Sequence, residues 1–365
     1  MLPTCKVSLI GAGFIGKVHL YAYLTLPFYS FPLPCKAQIT HIVAAHKESA
    51  LSATGLLPYS VQAHTDWNAA INDPEVDIVH ICTPNIAHKD ALLAAIAAGK
   101  HIYCEKPLVS DDLQAREVEN ALTHYQGVSQ MTFHHRFFAS VIKAKELIDQ
   151  GRLGRIIEFR GSYLQSSHAD PHLPARWKNF KKYGGGVLPD IGSHLLDLTD
   201  WLVGDLSCVA SQASIPFPQR LQDGKPIDID AEDSISMLCR SKSGAMGSLQ
   251  ISKLTNGHEN DLELEIYGTR GALKIDCMRP HYLDFCDVEQ SPSGWTTIAV
   301  GHRYASPDTE FPASKSAVGW TRAHCACLAA FLRKVAANEP DETLGLQRGL
   351  YVQKLMSNVE NRFVR

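Results

Sequence analysis

Over the first third of the chain, short apolar runs alternate with segments whose apolar residues recur every three to four positions. The runs Lys6–Ile10, Ile39–Ala45, Ser60–Ala63, Asp77–Thr83, His101–Cys104 and Val128–Phe133 read as strands. Between them, Gly16–Leu24, His46–Thr54, Asp66–Ile71, Ala87–Ala98 and Asp111–His124 read as helices. The helix after Asn85 is almost wholly Ala, Leu and Ile, as expected where a helix lies on a sheet. This βαβα rhythm predicts a parallel, doubly wound sheet. Leu24–Lys36 interrupts it, with Pro27, Pro32 and Pro34 among Phe28, Tyr29 and Phe31. Three prolines forbid a continuing helix, so the segment is expected to be a surface-loop insertion.

From Phe137 the rhythm changes. A helix at Ala139–Gln150 leads to strands at Ile156–Gln165, Cys208–Ile215, Asp233–Arg240, Ala245–Lys253, Leu262–Tyr267 and Ala272–Asp276. Turn signals at Ser243-Gly244 and Thr269-Arg270-Gly271 predict a largely antiparallel sheet. Two helices, Trp320–Asn338 and Leu344–Val359, close the chain, and no internal repeat or low-complexity tract interrupts it. At 365 residues the chain exceeds what one core usually supports. Two domains are therefore expected: residues 1–133 around the parallel sheet, and residues 134–365 as an α+β domain whose last helices pack back on the first.

Composition narrows the partners. Apolar residues make up 45% and charged residues 20%, with a net charge of -3, the profile of a soluble globular protein. Nothing in that balance favours nucleic acid or an anionic membrane. No run approaches the roughly 18 apolar residues that would span a bilayer. The ten cysteines are irregularly spaced, without a C-x-x-C pair, and Cys325 and Cys327 are one residue apart in a helical pattern, so no metal site is expected. Cys82, Cys104 and Cys239 sit in strand-like runs as small hydrophobes. Buried free thiols and a start that enters a strand at once predict a cytoplasmic protein.

Three motifs carry chemistry. Gly11-Ala12-Gly13-Phe14-Ile15-Gly16 follows a strand and opens a helix, the context in which G-x-G-x-x-G binds a dinucleotide. Gly11 permits the tight turn, Gly13 admits the pyrophosphate and Gly16 lets the helix press on the sheet. The second strand ends Ala44-Ala45-His46-Lys47, with no carboxylate until Glu48. His46 and Lys47 in place of an acidic ribose ligand tilt the cofactor toward NADP or dual use. Thr83-Pro84-Asn85 with His88, and Glu105-Lys106-Pro107, follow two further strands, at the edge where open α/β sheets bind ligands. Finally, Gly184-Gly185-Gly186 precedes Asp190 and His194, which share one face of a helix start at i, i+4. A flexible glycine loop next to a histidine that titrates near neutrality is a place to move a proton.

Taken in order, G-x-G-x-x-G, Glu105-Lys106-Pro107 and the triple glycine with Asp190 and His194 resemble the Gfo/Idh/MocA family of NAD(P)-dependent oxidoreductases. The likeness extends to Ala98-Gly99-Lys100-His101, Gly151-Arg152-Leu153-Gly154 and Tyr267-Gly268-Thr269-Arg270-Gly271. It implies an N-terminal Rossmann domain, a C-terminal α+β domain with a large, mostly antiparallel sheet, and assembly into homodimers or homotetramers. By that resemblance Lys106, Asp190 and His194 are the catalytic residues, His194 being the general acid/base. Gly11, Gly13, Phe14, Ile15, Gly16, His46, Lys47, Thr83, Pro84, Asn85, His88, Glu105, Lys106 and Pro107 line the cofactor. Substrate contacts are expected from Lys106, Asp190 and His194, and from His135, Arg136, Tyr163, Arg176 and Trp177, with His168, Asn256 and His258 as further candidates. His135 and Arg136 follow a strand, where neighbours point to opposite faces, so the His134-His135 pair is not expected to chelate an ion. The implied reaction interconverts a secondary alcohol of a sugar, polyol or glycoside with its ketone. Two alternatives share the motifs: an enzyme that cleaves glycosides through transient oxidation by NAD, and a non-catalytic dinucleotide-sensing regulator.

Overall fold

The computed structural model describes residues 2–29, 33, 35–301 and 319–363. These fall into two compact units, one of residues 2–134 and 320–353, the other of residues 135–301, 319 and 354–363.

The first unit opens with β1 (Thr4–Ile10), α1 (Phe14–Tyr29), β2 (Lys36–Val43), α2 (Lys47–Thr54), β3 (Gln62–His64), α3 (Trp67–Asn72) and β4 (Ile78–Ile81). It continues through α4 (His88–Ala97), β5 (His101–Cys104), α5 (Asp112–Ala121) and β6 (Ser129–Met131). The strands form one parallel sheet in the order β3-β2-β1-β4-β5-β6. Val7, Leu9, Ile78, Val79, Ile81 and Ile102 are completely buried, because helices cover both faces of such a sheet. The strand order reverses between β1 and β4, which opens a crevice at their carboxyl ends.

Helix α1 corrects one expectation. It runs through Pro27 to Tyr29 instead of stopping at Leu24. Pro27 lies in the last turn, where its missing N–H forfeits one helical hydrogen bond, while Tyr23 and Leu26 are buried and hold the turn in place. Residues 30–32 and 34, including Pro32 and Pro34 of the expected loop, lie outside the described residues.

The second unit contains α6 (Ala139–Asp149), β7 (Ile156–Leu164), α7 (Ser193–Val203) and β8 (Leu206–Ser214). A hairpin follows, β9 (Gln219–Gln222) and β10 (Lys225–Asp228), then β11 (Ser234–Ser241), β12 (Met246–Ser252), β13 (Asp261–Gly268), β14 (Gly271–Asp276), β15 (Tyr282–Asp287) and β16 (Trp295–Ala299). Eight of these strands build a sheet ordered β16-β15-β14-β13-β7-β12-β11-β8, antiparallel except where β7 meets β12. Strict alternation along β11 buries Ile235, Met237 and Cys239 and exposes Leu238 and Arg240, as a sheet covered on one face requires. The β9–β10 hairpin was not anticipated, although Asp223-Gly224, both at positive φ, is the dipeptide a tight hairpin turn selects. Strands β15 and β16 were missed because their exposed members, Tyr282 and Trp295, blur the apolar alternation.

The chain's last helices are α8 (Trp320–Ala337) and α9 (Leu346–Glu360). Within the first unit α8 lies against α1, and its Phe331 stacks on Tyr103 of β5 with ring centroids 5.0 Å apart. Among the described residues no helix is long and apolar enough to cross a membrane.

Candidate functional site

The glycine loop sits at the carboxyl end of β1. The Gly11 amide donates to the Val43 carbonyl at 2.8 Å, and Gly11 adopts φ +107°, open to glycine alone without strain. A Cβ on Gly11 would stand 2.5 Å from the Cys82 carbonyl oxygen, and one on Gly16 would stand 2.1 Å from the Gly11 carbonyl oxygen. Around Gly13 the opposite holds: a Cβ there meets nothing within 4 Å. Two glycines are thus consumed by the fold, and the third borders open space at a helix N-terminus, where a pyrophosphate fits. Beside it Phe14 is exposed, while Ile15 is half-buried. His46 is the extended N-cap of α2, and both it and Lys47 are exposed just beyond the uncharged end of β2.

At the ends of β4 and β5 the backbone is braced from within. Pro84 is exposed, Asn85 begins a short 3-10 turn, and His88 is completely buried. The His88 ring bridges two loops, Nδ1 lying 2.9 Å from the Pro107 carbonyl oxygen and Nε2 2.9 Å from that of Thr83. Burial lowers its pKa, against the opposing pull of the Thr83, Pro107 and Leu108 carbonyls and the Glu105 charge. His88 therefore fixes the Thr83 and Pro107 segments in place of pointing into the crevice. Glu105 is buried too, and accepts a hydrogen bond from the Lys106 amide. Burial pushes its carboxyl up, but the His19 hydrogen bond and the charges of His19, Lys106 and His324 outweigh that and hold it down at about 2. Lys106 is half-buried and joined to Pro107 by a cis peptide.

In the second unit the triple glycine corrects the picture of an open, flexible loop. All three glycines are buried. Gly184 is left-handed at φ +73°, and a Cβ on Gly185 would stand 2.4 Å from the Lys178 carbonyl oxygen. On Gly186 a Cβ would stand 2.3 Å from Glu232 Oε1. Gly185 lets main chain pack against main chain and Gly186 admits the Glu232 carboxylate, and this close approach seats the following turn. That turn, Leu188–Gly192, is π-helical and leads into α7, so Asp190 and His194 do not sit on a single regular α-helical face.

Asp190 is gripped from two sides. Lys178 Nζ lies 2.9 Å from each of its carboxylate oxygens, and Lys253 Nζ lies 2.5 Å from Oδ2. Lys253 is 2% exposed, and burying an ammonium so deeply demands a carboxylate partner. The His194 ring meets His135 edge-on at 4.5 Å, and Tyr163 lies 6.4 Å away. Tyr163 donates its hydroxyl to Asn260 Oδ1 at 2.8 Å, which Gln165 also approaches at 2.7 Å. Nearby pairs are His168 with Asp233 (2.6 Å) and His258 with Asp261 (2.5 Å). Lys178 and Lys253 were not singled out from sequence; the signal for Lys253 was a cation at the end of an apolar strand.

Other candidates take different roles. Arg136, expected at a substrate mouth, is buried and doubly hydrogen-bonded to Asp197 (2.8 and 2.5 Å), with its guanidinium 4.9 Å from the Trp201 ring centroid. It braces α7, and the pairing leaves its fork committed. The stretch His134–Phe137 is a 3-10 turn, not a strand continuation, so the strand-alternation argument about His134 and His135 does not apply. Arg176 is exposed, Trp177 is half-buried with Lys178 Nζ 5.7 Å from its ring, and Asn179 caps the Arg176 amide.

A parallel sheet with a glycine turn at its switch point is the fold of an NAD-binding oxidoreductase. Two family models match in succession: the NAD-binding Rossmann fold of an oxidoreductase family over residues 5–133, and the GFO/IDH/MocA C-terminal domain over residues 141–274. The chain belongs to the Gfo/Idh/MocA family of oxidoreductases. It is 32% identical to the levoglucosan dehydrogenase of Pseudarthrobacter phenanthrenivorans over 338 residues, 87% of this chain and 86% of that one. It is 26% identical to the inositol 2-dehydrogenase of Rhizobium meliloti, covering 83% and 81% of the two chains. A solved levoglucosan dehydrogenase in complex with NADH and levoglucosan superposes with a TM-score of 0.93 at 30% identity, covering 98% of this chain and 97% of that one.

Proposed function

We propose that this enzyme interconverts a secondary alcohol of a pyranose sugar, polyol or glycoside with its ketone. The observation that carries the reading is the Asp190 carboxylate held by Lys178 and Lys253 four residues before His194, in a chain whose glycine turn fits a dinucleotide. NAD, when bound, supplies the hydride acceptor. His194 takes the proton from the substrate hydroxyl as general base and returns it in the reverse direction. Asp190, held in place by two lysines, orients that exchange, and Lys106 hydrogen-bonds the reacting oxygen. Tyr163, His135 and Trp177 shape the sugar site, and likeness to levoglucosan and inositol dehydrogenases supports a cyclic polyhydroxy substrate.

The finer assignments follow from the same residues. The uncharged end of β2 followed by His46 and Lys47 supports use of NADP alongside NAD, since no carboxylate there repels a 2′-phosphate. A strong NAD preference unchanged in His46→Ala would reject that reading. The outer sheet face, with exposed Leu238 and Met246, supports a homo-oligomer, and free cysteines support a reducing, cytoplasmic setting.

The test is a panel led by levoglucosan and inositols, followed by reduced-nicotinamide absorbance with each cofactor. Lys106→Ala and His194→Ala should each lower turnover by about two orders of magnitude or more while dinucleotide affinity stays near normal. Near-normal turnover in either variant sinks the assignment.

A further inference from the structure

The first unit holds a second cluster of metal-binding side chains, unused by the chemistry above. His80 lies near the end of β4 and Cys82 just after it, two residues apart in extended chain and so on one face of the sheet. His19 of α1 covers that face, its ring centroid 4.3 Å from that of His80. All three residues are buried, and their donor atoms lie within 4.8 Å of one another. His19 Nε2 is 2.8 Å from Glu105 Oε1, whereas its Nδ1 is buried with no hydrogen-bond partner. Neither ring nitrogen of His80 has a partner either. Buried polar nitrogens are ordinarily paired, and the edge contacts of these rings with each other and with Tyr103 do not satisfy the unpartnered nitrogens of two histidines that each bring a donor atom near one thiol.

We propose that His19, His80 and Cys82 bind a zinc-class divalent cation that ties α1 to β4. His19 ligates through Nδ1 while Nε2–H donates to Glu105, the carboxylate–histidine–metal relay that fixes tautomer and ring orientation. Two imidazoles and one thiolate are a borderline-soft donor set, suited to zinc over magnesium or calcium. Charge closes as well: a divalent ion, the Cys82 thiolate and the Glu105 carboxylate sum to zero in a buried site. Bonds of about 2.0–2.3 Å put tetrahedral donors about 3.5 Å apart, so the three side chains need to close by about an ångström. No spacing rule finds the site in sequence, because His19 stands 61 positions before His80.

The test uses the full chain, unfolded with a chelator and refolded with equimolar Co2+ or Zn2+. The expected result is one Co2+ per chain, with tetrahedral d–d bands and a thiolate-to-cobalt charge-transfer band, both removed by Zn2+. Zn2+ should also raise the melting temperature. His80→Leu, which replaces two orphan nitrogens by a side chain of similar size, should fold in chelator at least as stably and lose roughly 100-fold or more in Co2+ affinity. Cys82→Ser should lose the charge-transfer band. Absence of stoichiometric metal, a cobalt spectrum without the thiolate band, or equal Co2+ affinity in His80→Leu would each overturn the proposal.

Discussion

Replacing Gly13 and Gly16 by alanine, one at a time, separates the fold-building glycine from the ligand-admitting one. A methyl on Gly16 stands 2.1 Å from the Gly11 carbonyl oxygen and 3.1 Å from its carbon, so the turn must give by about an ångström. Overpacking of that size costs about 1–3 kcal/mol, against the few tenths to about 1 kcal/mol that alanine gains in a helix. For a unit of this size each kcal/mol moves the melting temperature by about 2–4 °C, so a fall of several degrees is expected. On Gly13 the methyl meets no protein atom within 4 Å, and the melting temperature should hold or rise slightly. What that methyl occupies is the approach of the pyrophosphate, so NAD affinity should drop about tenfold or more, about 1.4 kcal/mol. Scanning calorimetry of the free proteins and titration calorimetry with NAD give both numbers. If Gly13→Ala melts as low as Gly16→Ala and binds NAD normally, the division of labour argued from the loop geometry is wrong.

Arg136→Ala removes the guanidinium that neutralises the buried Asp197 carboxylate, and should cost about 3–5 kcal/mol in denaturant unfolding. An unchanged midpoint with a raised KM would instead return Arg136 to the substrate. Lys253→Met removes a buried ammonium while Lys178 still holds Asp190, so stability should change by no more than about 1–2 kcal/mol while turnover falls at least about tenfold. Equal turnover in that variant would show Lys253 to be structural. Glu232 is buried against the Gly186 turn, and burial raises its carboxyl pKa despite hydrogen bonds from its own backbone and from the Leu188 amide and the nearby Lys181 charge. An acid whose folded pKa is raised destabilises the fold as pH climbs above the unfolded value, up to the folded one. Glu232→Gln, which keeps the acceptor for Leu188, should therefore match the unaltered chain near pH 4 and be more stable at pH 7. A melting-temperature difference independent of pH would contradict this.

Much was legible along the chain because it depends on local rules. The period of the apolar residues set the six parallel strands, and β5 was expected at the residues where it occurs. Glycines at fixed spacing after β1 announced the dinucleotide turn, since no other residue tolerates φ +107° at Gly11 or the close contact at Gly16. Even the missed β9–β10 hairpin was written in Asp223-Gly224. Tertiary structure decided the rest, wherever local preference is overridden or partners are distant in sequence. Pro27 stays helical because Tyr23 and Leu26 are buried around it. The triple glycine reads as an open loop when isolated, yet it is buried, with the Lys178 carbonyl and the Glu232 carboxylate standing where side chains on Gly185 and Gly186 would be. Arg136 appears free for a ligand until Asp197, 61 positions later, takes both arms of its guanidinium. Lys178 and Lys253 reach Asp190 from 12 positions before it and 63 after it. Pairing across such distances is paid for by burial and charge neutralisation, which exist only after the chain has folded.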